Sequence, residues 1–370
     1  MSAENEPSTA PAMLSPYAVM WRQFTRHRLG MAALFMLIVL YVLAAGCEFF
    51  APVTSAWGRL SYSYCPPQLP RFSLQDGFYV HPLTRVDNPV TFARYYVEDR
   101  ATRVPLGFFV KGEPYRLWGM VSWDRHFFGI DRTRAAPGAT FYFLGADRYG
   151  RDIFSRLIYG ARISLSVGVI SIVVMFVLGL SIGAVSGYAG GRTDSFIQRV
   201  IEIINSLPQL PLWLALGAVL PAEWSPLTVY FCVTLLLSLL GWTGLARAVR
   251  GKILALREED YAMAARLLGA SHFRVLFRHL VPGLASHIIV VLTLTVPGMI
   301  LGETALSFLG LGLRPPIVSW GVMLQDCMSL QTVANYPWLL SPVLFIMLAI
   351  LAFNFAGDAA RDAADPQSHR

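Results

Sequence analysis

Three polar side chains lie within long apolar segments of the sequence, where a carboxylate or an amide is unusual. They are Glu202, Asn205 and Glu303. If these segments cross a membrane, such groups are costly and face either a cavity or another polar group. Two interpretations remain open: the side chains line a path that favours a cation or an amino group, or they form hydrogen bonds between helices. For Glu48 and Asn354, hydrogen bonding between helices is the preferred interpretation.

No motif for catalysis or nucleotide binding accompanies these side chains. A phosphate loop requires Gly-Lys followed by Ser or Thr. Lys252 follows Gly251 but precedes Ile253, and the other lysine, Lys111, follows Val110. The HExxH, GxSxG and GxGxxG motifs are absent, and the seven histidines lack metal-ligand spacing. The sequence therefore predicts a chain with no metal, no cofactor and no catalytic site of its own.

The four cysteines do not form a metal-binding pattern either. Cys65 and Cys327 both fall outside the apolar segments, so a disulfide between them is conceivable. Two free thiols are the preferred interpretation.

Composition indicates an integral membrane protein. The chain is 55% hydrophobic and only 14% charged, whereas soluble domains carry about 25% charged residues. The net charge of +7 comes almost wholly from arginine. The arginines lie between apolar segments, where they orient a chain in a membrane rather than bind nucleic acid.

About six apolar segments approach the length of roughly 20 residues that spans a bilayer. The predicted class is an all-α membrane protein with membrane lipid around it. The segments are 29–51, 164–188, 196–220, 227–247, 285–306 and 338–357. The first could instead be a cleaved signal peptide, because residues 44–47 resemble a lipoprotein cleavage box. An uncleaved first helix is the preferred interpretation.

Residues 52–143 differ in composition from the rest of the chain. They are rich in proline, arginine and aromatic residues and contain no long apolar run. Alternation at 92–97 and 104–110 favours strands, so a small soluble insert, irregular or β-containing, is predicted between the first two spans. After it, Tyr149, Ile153 and Leu157 recur at helical spacing, which predicts an amphipathic helix on the membrane surface.

Arginines in the short loops predict the orientation. They place the N-terminal tail 1–28, the loop 248–284 and the C-terminal tail 367–370 in the cytoplasm, and the insert 52–143 outside. The arginines at 148, 151, 156 and 162 conflict with this rule, since they flank the second span on its outer side.

The loop 248–284 carries the most specific pattern in the sequence. Residues 258–260 are acidic and favour a helix N-terminus. Gly269 can end that helix in a left-handed conformation, and Ser271 can cap a second helix that ends before Pro282. Alanines at 262, 264 and 265 would let another backbone approach closely. From these residues alone, a surface cap and a docking site are equally good interpretations.

This loop resembles the EAA loop of ABC-importer permeases, in which Glu-Ala-Ala is followed after three residues by Gly and later by Ile-x-Leu-Pro. Ala264, Ala265, Gly269 and Pro282 match that pattern, whereas Met263 and the residues at 279 and 281 depart from it. The glutamate replaced by Met263 would not be available for a salt bridge to an ATPase. The resemblance assigns ATPase docking to Asp260, Tyr261, Met263, Ala264, Ala265, Arg266, Gly269, Ala270 and Pro282.

Other segments are similar to dipeptide, oligopeptide and nickel permeases, in particular the "C" permease of the pair. They are 144–147, 150–152, 159–162, 187–191, 303–312, 319–321 and 357–366. The resemblance implies a type I ABC importer permease fold in the core 144–366 and a location in the bacterial inner membrane. It implies as partners a second permease, one or two ABC ATPase subunits that hydrolyse the ATP, and an extracytoplasmic binding protein.

The expected function is import of peptides. Import of nickel or an oligosaccharide by the same machine remains an alternative. A membrane scaffold that transports nothing is a more distant one, and a membrane enzyme is disfavoured by the missing catalytic motifs.

Overall fold

A computed structural model describes residues 16–364, apart from 76, 88, 90–93 and 222. The predicted C-terminal tail 367–370 lies outside these residues. The α-helices of the described residues are α1 (Pro16–Arg26), α2 (Arg28–Ala45), α3 (Cys47–Phe50), α4 (Ile153–Ala189), α5 (Gly191–Ser206), α6 (Gln209–Ala218), α7 (Pro226–Leu256), α8 (Asp260–Leu267), α9 (His272–Arg274), α10 (Ala285–Phe308), α11 (Trp320–Met323), α12 (Leu330–Asn335) and α13 (Ser341–Ala364).

Five to six of these helical segments are long and apolar enough to cross a membrane, as the sequence predicted. The five unbroken ones contain α2, α4, α7, α10 and α13. The sixth is the pair α5 and α6, which is bent by 79°. The predicted single span 196–220 is therefore broken in two. The break lies at Leu207-Pro208 because proline disfavours the helical conformation in the residue before it.

The broken pair still runs from one end of the bundle to the other. At its start, Asp194 pairs with Arg250 of α7, near the end of α4. At the C-terminal end of the pair, Gly217 of α6 lies close to the backbone carbonyl of Leu311, just beyond the end of α10. These contacts place the two ends of the pair at opposite ends of α4 and α10, as in a membrane span.

Helix α4 is the centre of the bundle and packs directly against α7. Gly179, Gly183 and Gly187 recur every four residues on the face of α4 that meets α7. A Cβ atom at Gly183 would clash with the carbonyl oxygen of Ala246. Small residues at this spacing let two membrane helices approach backbone to backbone.

Helix α4 also corrects one prediction. It begins at Ile153, where the Asp152 carboxylate accepts a hydrogen bond from the amide of Ser155 at 2.7 Å. Ile153 and Leu157 are buried in a core that α2, α10 and α13 share, while Tyr149 is exposed in the preceding loop. The predicted surface helix is therefore wrong, because its apolar positions face the bundle and not the lipid.

The insert contains more β-structure than the sequence predicted. Its strands are β1 (Arg71–Ser73), β2 (Gly77–Val80), β3 (Leu83–Asp87), β4 (Arg94–Glu98), β5 (Val104–Leu117) and β6 (Val121–Ile130). One antiparallel sheet has the order β1-β2-β5-β6, and β3 pairs with β4. The predicted strand 104–110 is the first half of β5. The predicted strand 92–97 matches β4 from Arg94 onward, and its first two residues lie outside the described residues.

The two candidate disulfide partners are separate. Cys65 is buried in the insert and its thiol faces the carbonyl of Pro66, whereas the Cys327 thiol faces the carbonyl of Leu339 at 3.4 Å. Burial raises the pKa of the Cys65 thiol to about 12. Both are free thiols, which was the preferred prediction.

Candidate functional site

The loop between α7 and α10 forms a closed helical hairpin, which we call the docking hairpin (residues 258–282). Helix α8 begins at Asp260, the last of three consecutive acidic residues, and ends before Gly269, whose φ is +81°. The amide of Ala270 donates to the carbonyl of Ala265, and the amide of Gly269 donates to that of Arg266, both at 3.0 Å. This pair of bonds is the Schellman arrangement that a glycine in the left-handed conformation permits.

After the glycine turn, the chain re-enters a helix as predicted, but it does not stop at Pro282. The Ser271 hydroxyl caps the new helix by accepting from the amide of Arg274. A π-helical turn (Val275–Leu280) and a 3₁₀ turn (Val281–Leu284) then lead directly into α10. Pro282 lies near the start of the 3₁₀ turn, where its missing N–H is tolerated. The predicted end of the second helix is therefore wrong.

One face of the docking hairpin is anchored to the bundle. Ala262 is fully buried, together with Val275 and Leu280, against side chains of α4 and α7. Ala265 and Ala270 are partly buried and pack against the same core. These small residues let α8 lie close to the rest of its own chain. Ala265 is only partly covered by this packing, and its contact with another protein stays a prediction.

The opposite face of the hairpin presents apolar side chains to the surroundings. Leu267 is 89% exposed and Leu268 is 88% exposed, at the last turn of α8. Tyr261 and Met263 are also exposed, and so are Asp260, Ala264 and Arg266. The end of α8 therefore leaves two adjacent leucines uncovered on the face that does not pack against the bundle. The sequence pattern did not single them out, although a Leu-Leu pair before a glycine turn was the available signal.

Two side-chain contacts connect the hairpin to the end of α4. The hydroxyl of Tyr188 lies 2.9 Å from Nδ1 of His272, and the Arg266 guanidinium lies over the Tyr188 ring at 5.1 Å. Nearby, the Arg250 guanidinium of α7 binds the Asp194 carboxylate of α5, with Nη2 at 2.6 Å. Any displacement of the hairpin therefore acts directly on the junction of α4 and α5.

Glu303 lies on the far side of the bundle from the docking hairpin, and it is completely buried. Its carboxylate accepts hydrogen bonds from the hydroxyls of Ser164 at 3.3 Å, Ser307 at 2.8 Å and Ser319 at 2.7 Å. These donors come from α4, from α10 and from the loop before α11. The geometry therefore favours hydrogen bonding between helices over the predicted path lining.

The other two predicted path residues lie together on α5. Glu202 is exposed and pairs with Arg199 at 3.0 Å. The side-chain oxygen Oδ1 of Asn205 accepts a hydrogen bond from the Thr243 hydroxyl of α7 at 2.9 Å. Its side-chain nitrogen Nδ2 is buried with no hydrogen-bond partner among the described residues. Neither residue shares a partner with Glu303, so the three do not form one site.

The four arginines that conflicted with the orientation rule form ion pairs with three carboxylates. Arg162 binds Glu48 through two bonds of 2.6 Å, which confirms the expected bonding role of Glu48 between helices. Arg151 and Arg156 both lie within 4 Å of Asp147. Arg148 pairs in turn with Asp326 at 3.0 Å. These ion pairs hold the insert side of the bundle together. They do not remove the conflict, because acidic residues contribute little to the orientation rule.

Two family models match this chain. The model described as binding-protein-dependent transport system inner membrane component matches residues 176–370. The model described as N-terminal TM domain of oligopeptide transport permease C matches residues 15–67. Most of the insert lies between the two matched regions.

Individual relatives agree with these models. A dipeptide transport system permease protein from Bacillus subtilis is 42% identical over 236 residues, which are 63% of this chain and 71% of the relative. An oligopeptide transport system permease protein from the same organism is 40% identical over 232 residues, 62% of this chain and 73% of the relative. A glutathione transport system permease protein from Pectobacterium atrosepticum is 36% identical over 242 residues, 65% of this chain and 78% of the relative.

Proposed function

Because this chain belongs to the family of binding-protein-dependent transport system inner membrane components, we propose that it imports peptides as the "C" permease of an ATP-driven importer. It is a multi-pass inner-membrane permease subunit. The substrate class rests on the relatives, whose names specify dipeptides, oligopeptides and glutathione, itself a tripeptide.

The main support for the proposal is the structure of the docking hairpin. The chain has no phosphate loop, so the energy for transport must come from another subunit. The hairpin exposes Leu267 and Leu268 on one side and is anchored to α4 through Tyr188 on the other. An ABC ATPase that binds the exposed face could therefore move the junction of α4 and α5. Coupling requires only that the ATPase binds two states of the permease with different affinity.

The translocation path is proposed to run along α5 and α6, against a second permease. Phe196, Ile203, Leu207 and Leu210 are exposed there, and the bend at Pro208 leaves helix ends within the membrane that a cavity or a partner must satisfy. Glu202 lies on the same helix, is exposed and is the polar group that a peptide would meet. The side-chain amide nitrogen of Asn205, on the same helix, is buried without a partner among the described residues. An extracytoplasmic binding protein is proposed to deliver it from the side of the insert.

Reconstituted transport tests the proposal. The complete importer, with its binding protein, is placed in proteoliposomes, and uptake of radiolabelled dipeptide, nickel and oligosaccharide is measured with and without internal ATP. We expect ATP-dependent uptake of the peptide alone. Uptake of nickel or oligosaccharide instead would overturn the substrate class, and absence of any ATPase in the purified complex would favour the scaffold.

A further inference from the structure

The long hairpin of the insert, β5 and β6, points back toward the membrane. Successive residues of β6 and its preceding turn contact successive residues of the segment that follows α2. The Trp118 indole donates to the carbonyl of Ala45 at 2.9 Å, Trp123 stacks on Phe49, and His126 binds the carbonyl of Ala51. The chain from 45 to 51 leads away from the membrane span. The tip of the hairpin is therefore its membrane-facing end.

The tip lies at the boundary of the hydrocarbon core. Ala45 is the last residue of α2, whose 18 residues span about 27 Å at 1.5 Å per residue, close to the roughly 30 Å of a hydrocarbon core. The Trp118 indole binds that last carbonyl, and its ring covers the Arg162 guanidinium at 4.4 Å. The turn is thus fixed at one level relative to the membrane.

The residue types at the tip are wrong for a turn in water. Trp118 has a φ of +51° and Gly119 a φ of +74°, the two positive values of a type I′ turn. Asn, Asp or Gly is preferred at the first of these positions. Instead the tip presents Trp118, which is 57% exposed, Met120, which is 82% exposed, and the exposed Val121.

The surroundings of the tip match a lipid interface. Val42 lies about one helical turn before Ala45, further into the membrane span, and its side chain is exposed on the surface of α2. Arg116, one residue before the β-turn, is exposed and forms no ion pair with any residue that the structure describes. Tryptophan and arginine are the residues that settle at the boundary between lipid headgroups and acyl chains.

We propose that the tip of the β5–β6 hairpin inserts into the outer leaflet of the membrane. Trp118, Met120 and Val121 enter the boundary of the acyl chains, and Arg116 remains level with the lipid phosphates. The ligand is the phospholipid surface, and the inserted tip holds the whole insert at a fixed height beside α2 and α4.

Depth-dependent quenching tests this proposal. The intact importer is reconstituted into phosphatidylcholine–phosphatidylglycerol vesicles, with Cys232 and Cys327 replaced by alanine and uptake checked. An environment-sensitive fluorophore is attached to Met120→Cys. The control is Leu74→Cys, in the turn between β1 and β2, which is 96% exposed. Because β2 pairs with the first residues of β5, this turn lies beside the first half of β5 and away from the tip. Quenchers are a phospholipid with a nitroxide near the headgroup and aqueous iodide.

We expect the nitroxide lipid to quench the label at position 120 several-fold more than the label at position 74, and iodide to show the reverse order. Equal iodide quenching at the two positions would place the tip in water and overturn the proposal. Protection of position 120 from both quenchers would also overturn it, because a protein subunit would then cover the tip.

Discussion

Glu303 is a single residue for which burial decides between two roles. Among the described residues its carboxylate is completely buried and accepts from three hydroxyls, so it joins α4, α10 and the loop before α11. A carboxylate inside a membrane segment is visible in the sequence, but its partners are not. Ser164 and Ser319 lie 139 and 16 residues away from it, and no local spacing predicts that they meet.

Glu303→Gln is therefore expected to destabilise the protein without changing what it transports. The glutamine amide would present N–H donors to hydroxyls that already donate to this position. A buried donor left without an acceptor lowers the free energy of unfolding by about 1–3 kcal/mol. Thermal unfolding of the purified importer and peptide uptake measure the two effects. The control is Glu202→Gln, an exposed carboxylate that should leave the unfolding temperature unchanged. An unchanged unfolding temperature with an altered substrate range would restore Glu303 to the path.

Tyr188 is a residue that sequence reasoning missed, although the segment that contains it was noticed. Tyr188→Phe keeps the ring under Arg266 and removes the hydroxyl that bonds His272. Since one hydrogen bond contributes about 1 kcal/mol, we expect substrate-stimulated ATP hydrolysis to fall by up to about fivefold while ATPase recovery on the permease stays normal. Tyr149→Phe, at the other end of α4, is the control. Normal stimulation in Tyr188→Phe would show that this contact transmits nothing.

At the scale of elements, the apolar spans were predictable because a bilayer requires a run of a certain length. The start of α4 was not. Its first turns are amphipathic in sequence, and only the packed core shows that their apolar face meets α2 and α13. The break between α5 and α6 was indicated by Pro208, but the 79° angle depends on the packing of both halves. In the docking hairpin, Gly269 and Ser271 predicted the turn correctly because both act on the nearby backbone. Gly269 adopts a positive φ, and the Ser271 hydroxyl accepts from the amide three residues later.

The left-handed turn at Gly269 is expected to set the shape of the docking hairpin. Nothing lies within 4 Å of a Cβ atom added there, so only the left-handed backbone opposes a side chain, by about 1–2 kcal/mol. We expect Gly269→Ala to weaken ATPase binding modestly and Gly269→Val to uncouple hydrolysis from transport. Gly251→Ala is the matched control, because its added Cβ also meets open space while its helical backbone accepts alanine. Equal behaviour of all three variants would show that the shape of the turn is unimportant.

At the scale of the whole molecule, the number of spans decides whether the insert and the docking hairpin lie on the same side of the membrane. If α5 and α6 together cross the membrane, the insert and the docking hairpin lie on opposite sides. If the pair turned back instead, both would lie on the same side. The contacts of Asp194 and Gly217 at opposite ends of the bundle favour a crossing. The sequence predicted the same orientation from arginines in short loops, but it could not show which carboxylates pair with the outer arginines.

Cysteine labelling in intact cells tests this topology. Gln75→Cys in the insert and Ser271→Cys in the docking hairpin are both exposed positions. We expect an impermeant maleimide to react with position 75 and to reach position 271 only after the cells are permeabilised. Labelling of both positions in intact cells would mean that α5 and α6 do not span the membrane together. Labelling of position 271 alone would invert the orientation.

The central claim is that the docking hairpin binds the ATPase and passes its motion to α4. The direct measurement is recovery of the ATPase on a tagged permease carrying Leu267→Ser and Leu268→Ser, together with substrate-stimulated ATP hydrolysis. Each leucine contributes up to about 1.5–3 kcal/mol when it is buried in an interface. Leu330→Ser is the control, since Leu330 is equally exposed, at 84%, but lies on α12. We predict a more than tenfold loss of both signals in the double variant and none in the control. Normal recovery and normal stimulation in the double variant would contradict the claim and leave the hairpin as a structural cap.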